Sequence, residues 1–436
     1  MELKLRWIVL CAVLSAGMAA GGAFAQDLDL EADLFGTDAS DSPAEGASGA
    51  PEAAAAGEGA DPEALFDFPD TAGFDASGAP ADEVRTEYLV GGTVVLSGYL
   101  TGNAGKTEYA AGANSAGKIF AKVSVPDYGA LYAAYNVSHT LFQGYGADSP
   151  LPGLTAVDLY TPKYELSEFH YSFDIAKRLF VRLGNQLTAW GPSRIWTPVD
   201  FINLEKNDAF AALDSRRGKP GLRMHAPLPR GNIFVFFDFA SLSSNSRAAL
   251  MDPADKTNIG ARGDFTAGAF EFGVSGYGGA ETQVRLGLDI SGRLLGTTVY
   301  MEAAAAPEYD KYGSYAQIAA GFSRTLGELK NWTFSAETFY NSKPQANVPL
   351  YQGLWYAYLS LAADELLDPG LSSAVSFLAN LEDQSYQVKF TETVGLPRAV
   401  PFSVGIGYFG GGEGKEFTRR GGNQGLSLSV STRIEF

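Results

Sequence analysis

The stretch Gln424-Gly-Leu-Ser-Leu-Ser-Val-Ser-Thr-Arg-Ile-Glu-Phe436 alternates almost without a break. Leu426, Leu428, Val430, Ile434 and Phe436 fall on one parity, and Ser427, Ser429, Ser431, Arg433 and Glu435 on the other. Successive side chains of an extended strand point to opposite faces, so a two-residue period marks a strand with one apolar and one polar face. In a soluble sandwich the apolar face points inward, and in a membrane barrel it points outward to lipid. The segment alone is compatible with both.

The same alternation recurs along the chain. Tyr171, Phe173 and Ile175 oppose His170, Ser172 and Asp174, while Val284, Leu286, Leu288 and Ile290 oppose Gln283, Arg285 and Asp289. Many such segments run about 9 to 14 residues, near the length a tilted membrane strand needs and longer than most sandwich strands. Counting them yields eighteen, the first near Tyr88 to Thr101, the second and third at Ala116 to Val125 and Ala130 to Thr140, the fifth at Arg178 to Trp190. Connections after even-numbered segments are mostly tight, as in Pro126-Asp-Tyr-Gly129 and Ser291-Gly-Arg-Leu294. Several after odd-numbered ones are long, among them Gly102 to Ser115, Leu141 to Leu159, Gly191 to Lys219 and Gly410 to Asn423. Short turns at one end, long loops at the other and an even strand count make the pattern of outer-membrane barrels. The expected fold is all-β, a transmembrane antiparallel up-and-down β-barrel of about eighteen strands spanning 86–436. Sixteen stays open, because Gly278-Gly279 and Glu382-Asp383 are short where long loops were allowed.

The amino-terminal part reads differently. Residues 1–25 carry Lys4 and Arg6, an apolar run from Trp7 to about Ala20, and Ala23-Phe24-Ala25, the arrangement of a secretory signal peptide removed on export. The only cysteine, Cys11, lies inside it, so the mature chain is expected to have neither a disulfide nor a thiol metal site. Residues 26–85 hold sixteen acidic residues and one basic, which accounts for most of the net charge of −18. Their Ala, Gly, Pro, Asp and Glu composition cannot bury enough apolar area to offset ordering entropy, so a disordered, periplasmic acidic tail is expected. Two aromatic islands, Leu34-Phe35-Gly36 and Leu65-Phe66-Asp67-Phe68, fit either docking motifs for a periplasmic partner or incidental features of a spacer. Beyond residue 25 no apolar run approaches the roughly 18 residues a spanning helix requires, which excludes a helical membrane protein.

Residues that could set selectivity cluster in the middle of the chain. If Leu179, Val181 and Leu183 face lipid, then Arg178, Arg182, Gly184, Gln186 and Thr188 face the interior, and the same parity turns Arg223 and His225 inward on the next strand. From Tyr160 to Arg230 there are 11 basic and 7 acidic residues, against a net negative remainder of the barrel. Ladders of arginine on one wall attract and select anions. The 191–219 loop, with Arg194, Arg216 and Arg217, is long enough to fold into the channel; it equally fits an ordinary outer loop with local ion pairs and Trp190 in an interfacial aromatic belt.

This region resembles a broad group of porin-like bacterial outer-membrane proteins in which a Gly-x-Gln-x-x-x-Trp-Gly strand end runs into a loop with Pro-x-Asp-x-x-Asn. Here those positions are Gly184, Gln186, Trp190, Gly191, Pro198, Asp200 and Asn203. Asn380-Leu-Glu-Asp-Gln-Ser385 looks like the Asn-x-x-Asp-x-Ser turn of the same group. The last segment resembles the carboxy-terminal signal of bacterial outer-membrane proteins. That likeness implies that the barrel-assembly machinery reads Val430, Ile434 and Phe436. The resemblance supports a channel and implies little about its cargo.

Catalytic readings are poor. His139, His170 and His225 show no metal-ligand spacing, and no serine or aspartate pairing stands out. Gly410-Gly-Gly-Glu-Gly-Lys-Glu416 fails the phosphate-loop template and reads as a flexible loop. The expectation is a non-enzymatic outer-membrane channel for small polar, in part anionic, solutes, with lipid as its main partner and no cofactor, metal or nucleic acid. A plugged structural or surface-interaction barrel tethered by its tail is the alternative; a membrane hydrolase ranks third.

Overall fold

The computed structural model describes residues 86–436 apart from 103–108, 147–161, 204–215, 240–256, 280–281, 309–312, 328–331, 346–349, 365–369, 396–399 and 421–424. The expected signal peptide and the expected disordered tail with its aromatic islands lie outside the described residues.

Eighteen strands follow one another in chain order: β1 (Glu87–Gly102), β2 (Tyr109–Val125), β3 (Gly129–Gly146), β4 (Lys163–Ile175), β5 (Leu179–Gln186) and β6 (Lys219–Leu228). Then come β7 (Gly231–Asp238), β8 (Asn258–Ala267), β9 (Phe270–Gly279), β10 (Thr282–Leu294), β11 (Thr297–Ala306) and β12 (Tyr315–Leu326). The last are β13 (Trp332–Asn341), β14 (Trp355–Asp364), β15 (Leu371–Asn380), β16 (Ser385–Val394), β17 (Phe402–Gly410) and β18 (Leu426–Glu435), with one short helix, α1 (Glu416–Arg420), between β17 and β18. Each strand pairs antiparallel with the next, and β1 pairs with both β2 and β18, so a single 18-stranded sheet closes on itself. That decides between sixteen and eighteen. Among the described residues no helix is long and apolar enough to cross a membrane, a statement that says nothing about strands.

Directly opposed residues share a face, so register assigns the two parities. Leu428 lies opposite Leu100, Val430 opposite Gly98 and Ile434 opposite Val94. Ile434, Phe436, Val274, Leu286, Leu288 and Leu359 are exposed on the outer surface. The opposite parity buries Arg182, Glu302, Glu337, Ser360, Gln387 and Lys389 inside. Polarity is thus inverted relative to a soluble protein: apolar outside, polar within. Such an outer face requires an apolar surrounding medium.

The seam is completed by the last residue. The Phe436 N–H donates to the Gly92 carbonyl (3.1 Å), and the Gly92 N–H donates to the Phe436 carbonyl (3.0 Å), continuing the β1–β18 ladder. The phenylalanine ring lies over Gly92, where a Cβ would come within 3.0 Å of Phe436 Cζ. An aromatic side chain here covers a cross-strand glycine.

Three local expectations need correction. The second strand starts at Tyr109, not Ala116, and the third runs on to Gly146, so parts of two expected loops are strand. Tyr109-Ala-Ala-Gly-Ala-Asn-Ser115 consists mostly of small residues that show no alternation, and cross-strand hydrogen bonding to β1 and β3 alone extends it. The fifth strand ends at Gln186, four residues before the expected Trp190, because the chain turns away from the wall there. Finally, the Gly410–Glu416 loop is no loose tether: it leads into α1, whose Phe417 is fully buried.

Placing a cation in the middle of the outer apolar face tests the inverted polarity. Leu359→Arg on β14 is expected to destabilise the folded barrel by about 2–4 kcal/mol in lipid vesicles, measured by denaturant titration of folding.

Candidate functional site

Beyond Gln186 the chain leaves the wall and folds into the barrel. Gly184, the residue that starts this departure, has φ +129°, and a Cβ there would sit 2.3 Å from the Phe169 carbonyl oxygen. Gln186 is fully buried and donates through Nε2 to the carbonyls of Arg182 and Gly221, both at 3.3 Å, tying the strand end to β6. Trp190 packs with Val199, Phe201 and Ile202 against inward-facing Phe236, Tyr277 and Ala304 of β7, β9 and β11. Its ring sits over Gly260 of β8, where a Cβ would come within 2.8 Å of Cη2. Trp190 therefore belongs to the interior and not to an outer aromatic belt.

The resembling motif has a local mechanical account. Thr197-Pro-Val-Asp200 is a turn closed by the Asp200 N–H donating to the Thr197 carbonyl (3.2 Å), with proline at the position its fixed φ suits. The Asp200 carboxylate then accepts from Asn203 Nδ2 (3.2 Å) and from Arg216 Nη1 (3.3 Å). Asn203 Nδ2 also donates to the Thr188 carbonyl, which draws both ends of the infolded segment together. Gly191 has φ +96°, and a Cβ would lie 2.3 Å from Glu302 Oε1, so only glycine lets the chain pass this carboxylate.

Two wall carboxylates receive the segment's backbone. Glu302 on β11 accepts from the Ser193 N–H (2.6 Å) and the Val199 N–H (3.1 Å). Glu337 on β13 accepts from the N–H groups of Arg194 (3.2 Å), Ile195 (3.3 Å) and Trp196 (2.8 Å), and from the Tyr300 hydroxyl (2.7 Å). Both sit near the middle of ten-residue strands, so the segment reaches well down the interior.

Two further connections join it. Trp196 stacks on Phe339 at 5.5 Å and donates through Nε1 to the Leu350 carbonyl (3.0 Å) in the β13–β14 connection. Ile195, Trp196, Leu350, Tyr351 and Phe417 of α1 form one apolar cluster with Phe339, Tyr356, Tyr358 and Leu378 of the wall. Glu416 fastens α1, accepting from the Tyr356 hydroxyl (2.6 Å) and Asn380 Nδ2 (2.8 Å). In the Asn380–Ser385 turn, Asp383 accepts from the Glu416 N–H (2.8 Å) and Ser385 Oγ accepts from the Phe417 N–H (3.2 Å). The inner face from β7 to β15 is thereby covered at the long-loop end.

The inner face of β2 to β6 carries cations. Arg182 and Arg223 lie directly opposite each other across β5 and β6, and both are buried. Arg182 Nε donates to Ser172 Oγ (3.3 Å), and the Arg223 guanidinium stands 5.0 Å over the Phe234 ring. His225 stacks on Phe234 (4.4 Å), and His170 on Tyr132 (5.1 Å). Arg182, Arg223 and Lys122 all lie within electrostatic reach of His170. Lys118 pairs with Glu168 at 3.0 Å. Elsewhere, Arg262 is neutralised by Asp264 (2.7 Å) and Asp289 (2.6 Å).

The other sequence candidates disperse. Arg178 lies in the exposed tight turn before β5, at the rim and not on the wall. Arg194 is exposed at the turn of the infolded segment, Arg216 is bound by Asp200, and Arg217 pairs with Glu165. Thr188 is buried in the segment instead of on the strand. Among the described residues no group of three or more His, Cys, Asp or Glu is placed to hold a metal. Sequence reasoning missed Glu302 and Glu337; their inward parity was legible, but their partners lie more than a hundred residues away.

No protein-family model matches the chain, and no curated protein sequence matches it. Among solved structures, a BenF-like porin from Pseudomonas fluorescens Pf-5 matches with TM-score 0.54 at 7% identity, over 80% of this chain and 98% of that one. The outer membrane protein opdK from Pseudomonas aeruginosa matches with TM-score 0.48 at 12% identity, over 80% and 99%. Wzi from Escherichia coli, described as a carbohydrate binding β-barrel involved in capsule assembly, matches with TM-score 0.46 at 12% identity, over 79% and 84%. At 7% identity the first likeness shows the barrel fold alone.

Removing the central aromatic of the infolded segment tests how firmly it is seated. Trp196→Ala is expected to cost about 3–5 kcal/mol, through lost burial and the cavity left against Phe339 and Tyr356, read as a lowered denaturation midpoint in detergent.

Proposed function

We propose that the protein is an outer-membrane channel that passes small polar solutes and prefers anions. The observation that carries this reading is the pair Arg182 and Arg223, set side by side and buried on the inner face of β5 and β6, outside the two apolar clusters that seat the infolded segment. Lys122 adds to the positive side of the interior, whereas Lys118 is paired with Glu168 and Asp289 with Arg262. Positive charge concentrated on one side of a confined passage attracts and sorts anions. The inverted polarity of the barrel supports the membrane, the long-loop end would face outward, and the tight turns and tail would lie in the periplasm. On the same reading Val430, Ile434 and Phe436 serve recognition by the barrel-assembly machinery, and the backbone bonds of Phe436 at the seam fit a residue engaged during closure.

The apolar cluster shared by three inward connections favours a second reading, a plugged structural barrel whose tail tethers a periplasmic partner. Planar-bilayer recordings separate the two: a folded sample without conductance supports the plug, and removing residues 26–85 would then raise conductance only if the tail is the obstruction.

For the channel, the reversal potential in a potassium chloride gradient is expected to report anion preference. The double variant Arg182→Gln, Arg223→Gln should lower the anion-to-cation permeability ratio by about three- to ten-fold, consistent with removal of two fixed charges at a constriction. An unchanged ratio would remove these arginines from selectivity.

A further inference from the structure

We infer that Glu302 and Glu337 fix the aperture: they hold the segment 187–203 as a rigid constriction and are positioning residues for permeation. The inference rests on the channel reading, and its test separates the two.

The segment is irregular backbone at mid-height inside the barrel, and where it is buried an N–H without an acceptor is costly. Five of its N–H groups, from Ser193, Arg194, Ile195, Trp196 and Val199, are taken up by two carboxylates. Both acceptors are buried, and each uses both oxygens. Tyr300 donates to Glu337 from β11, so the carboxylate is itself held between two strands. The consecutive N–H groups of Arg194, Ile195 and Trp196 converge on one carboxylate, which is the geometry of an anion-binding concavity in a chain. Here the wall supplies the anion. Gly191 lets the backbone approach Glu302, and the apolar contacts of Trp190 and Trp196 flank the two anchors on either side. A mobile gate would need its bonds to exchange with water at low cost; these are buried.

One consequence is specific to this arrangement. Truncating Glu337 leaves a ready-made concavity of N–H groups, which a small free carboxylate can enter. The experiment compares the full chain with Glu337→Ala, Glu302→Ala and Glu337→Gln, each confirmed as folded by unheated gel mobility, with Glu337→Gln serving if an alanine variant fails to assemble. Single-channel currents are recorded in sodium chloride and in sodium acetate of equal ionic strength, alongside limited trypsin cleavage at Arg194–Ile195. The variants are expected to show larger, noisier currents and cleavage at least about ten-fold faster than the parent, since even one lost buried hydrogen bond shifts the open population by about that factor. In acetate, Glu337→Ala should return to the current noise and cleavage rate of the parent protein recorded in the same salt. Parent-like currents and parent-like trypsin resistance in folded variants would overturn the inference, as would altered currents that acetate does not reverse and that come without faster cleavage. A parent protein that conducts nothing would defeat the channel reading, while cleavage and its suppression by acetate would still decide whether the carboxylates anchor the segment.

Discussion

A backbone N–H or C=O that faces an apolar medium without a partner costs several kcal/mol, and the organisation of this chain follows from that constraint. A sheet whose outer surface is Leu, Val, Ile and Phe has no water at its edges to satisfy them. It closes, and β1 meets β18 over ten residue pairs from Thr93–Glu435 to Gly102–Leu426. Phe436 adds two more backbone bonds to Gly92. Once closed, the parity of every strand is locked, since slipping one residue would exchange its faces and turn Glu302 or Arg182 toward the apolar side.

The same constraint shapes the interior. A connection that folds inward brings irregular backbone among wall side chains, and each of its N–H groups needs an acceptor. Carboxyl groups on β11 and β13 supply them for residues 193–196 and 199, while aromatic rings fill the space between segment and wall. The arrangement is lopsided. The apolar clusters lie on strands from β7 to β15, while on β5 and β6 the buried Arg182 and Arg223 are held next to one another by strand register. Two adjacent guanidinium groups repel, and the Phe234 face and the Ser172 hydroxyl offset part of that repulsion.

Much of the barrel was legible in advance. Alternation at Leu426–Phe436 and its many recurrences identified strands and their apolar parity, and the contrast between tight turns and long loops identified the two ends. The Gly184-to-Asn203 motif pointed to the place where the wall gives way to an inward segment, and Arg182 and Arg223 were found from parity alone. The misses share a cause. Tyr109–Ser115 is strand although its small residues show no alternation, because hydrogen bonds to its neighbours extend it. Arg178 was counted into the wall because strand ends blur by a few residues. The Gly410–Glu416 loop looked loose because glycine permits many conformations; Glu416 reaching Tyr356 and Asn380 selects one of them.

By itself the sequence determined the class of fold, its strand number to within two, the sign of each face and the wall that carries the cations. These are properties of short range, since the two-residue period and the residues of a turn act within a few positions. Only the tertiary structure decided that residues 187–203 lie inside the barrel, that Glu302 and Glu337 hold them, and that Leu350 and Phe417 complete their apolar seat. Those contacts join positions more than two hundred residues apart, as between Ile195 and Phe417, and closure of the sheet brings them together, which no local pattern encodes.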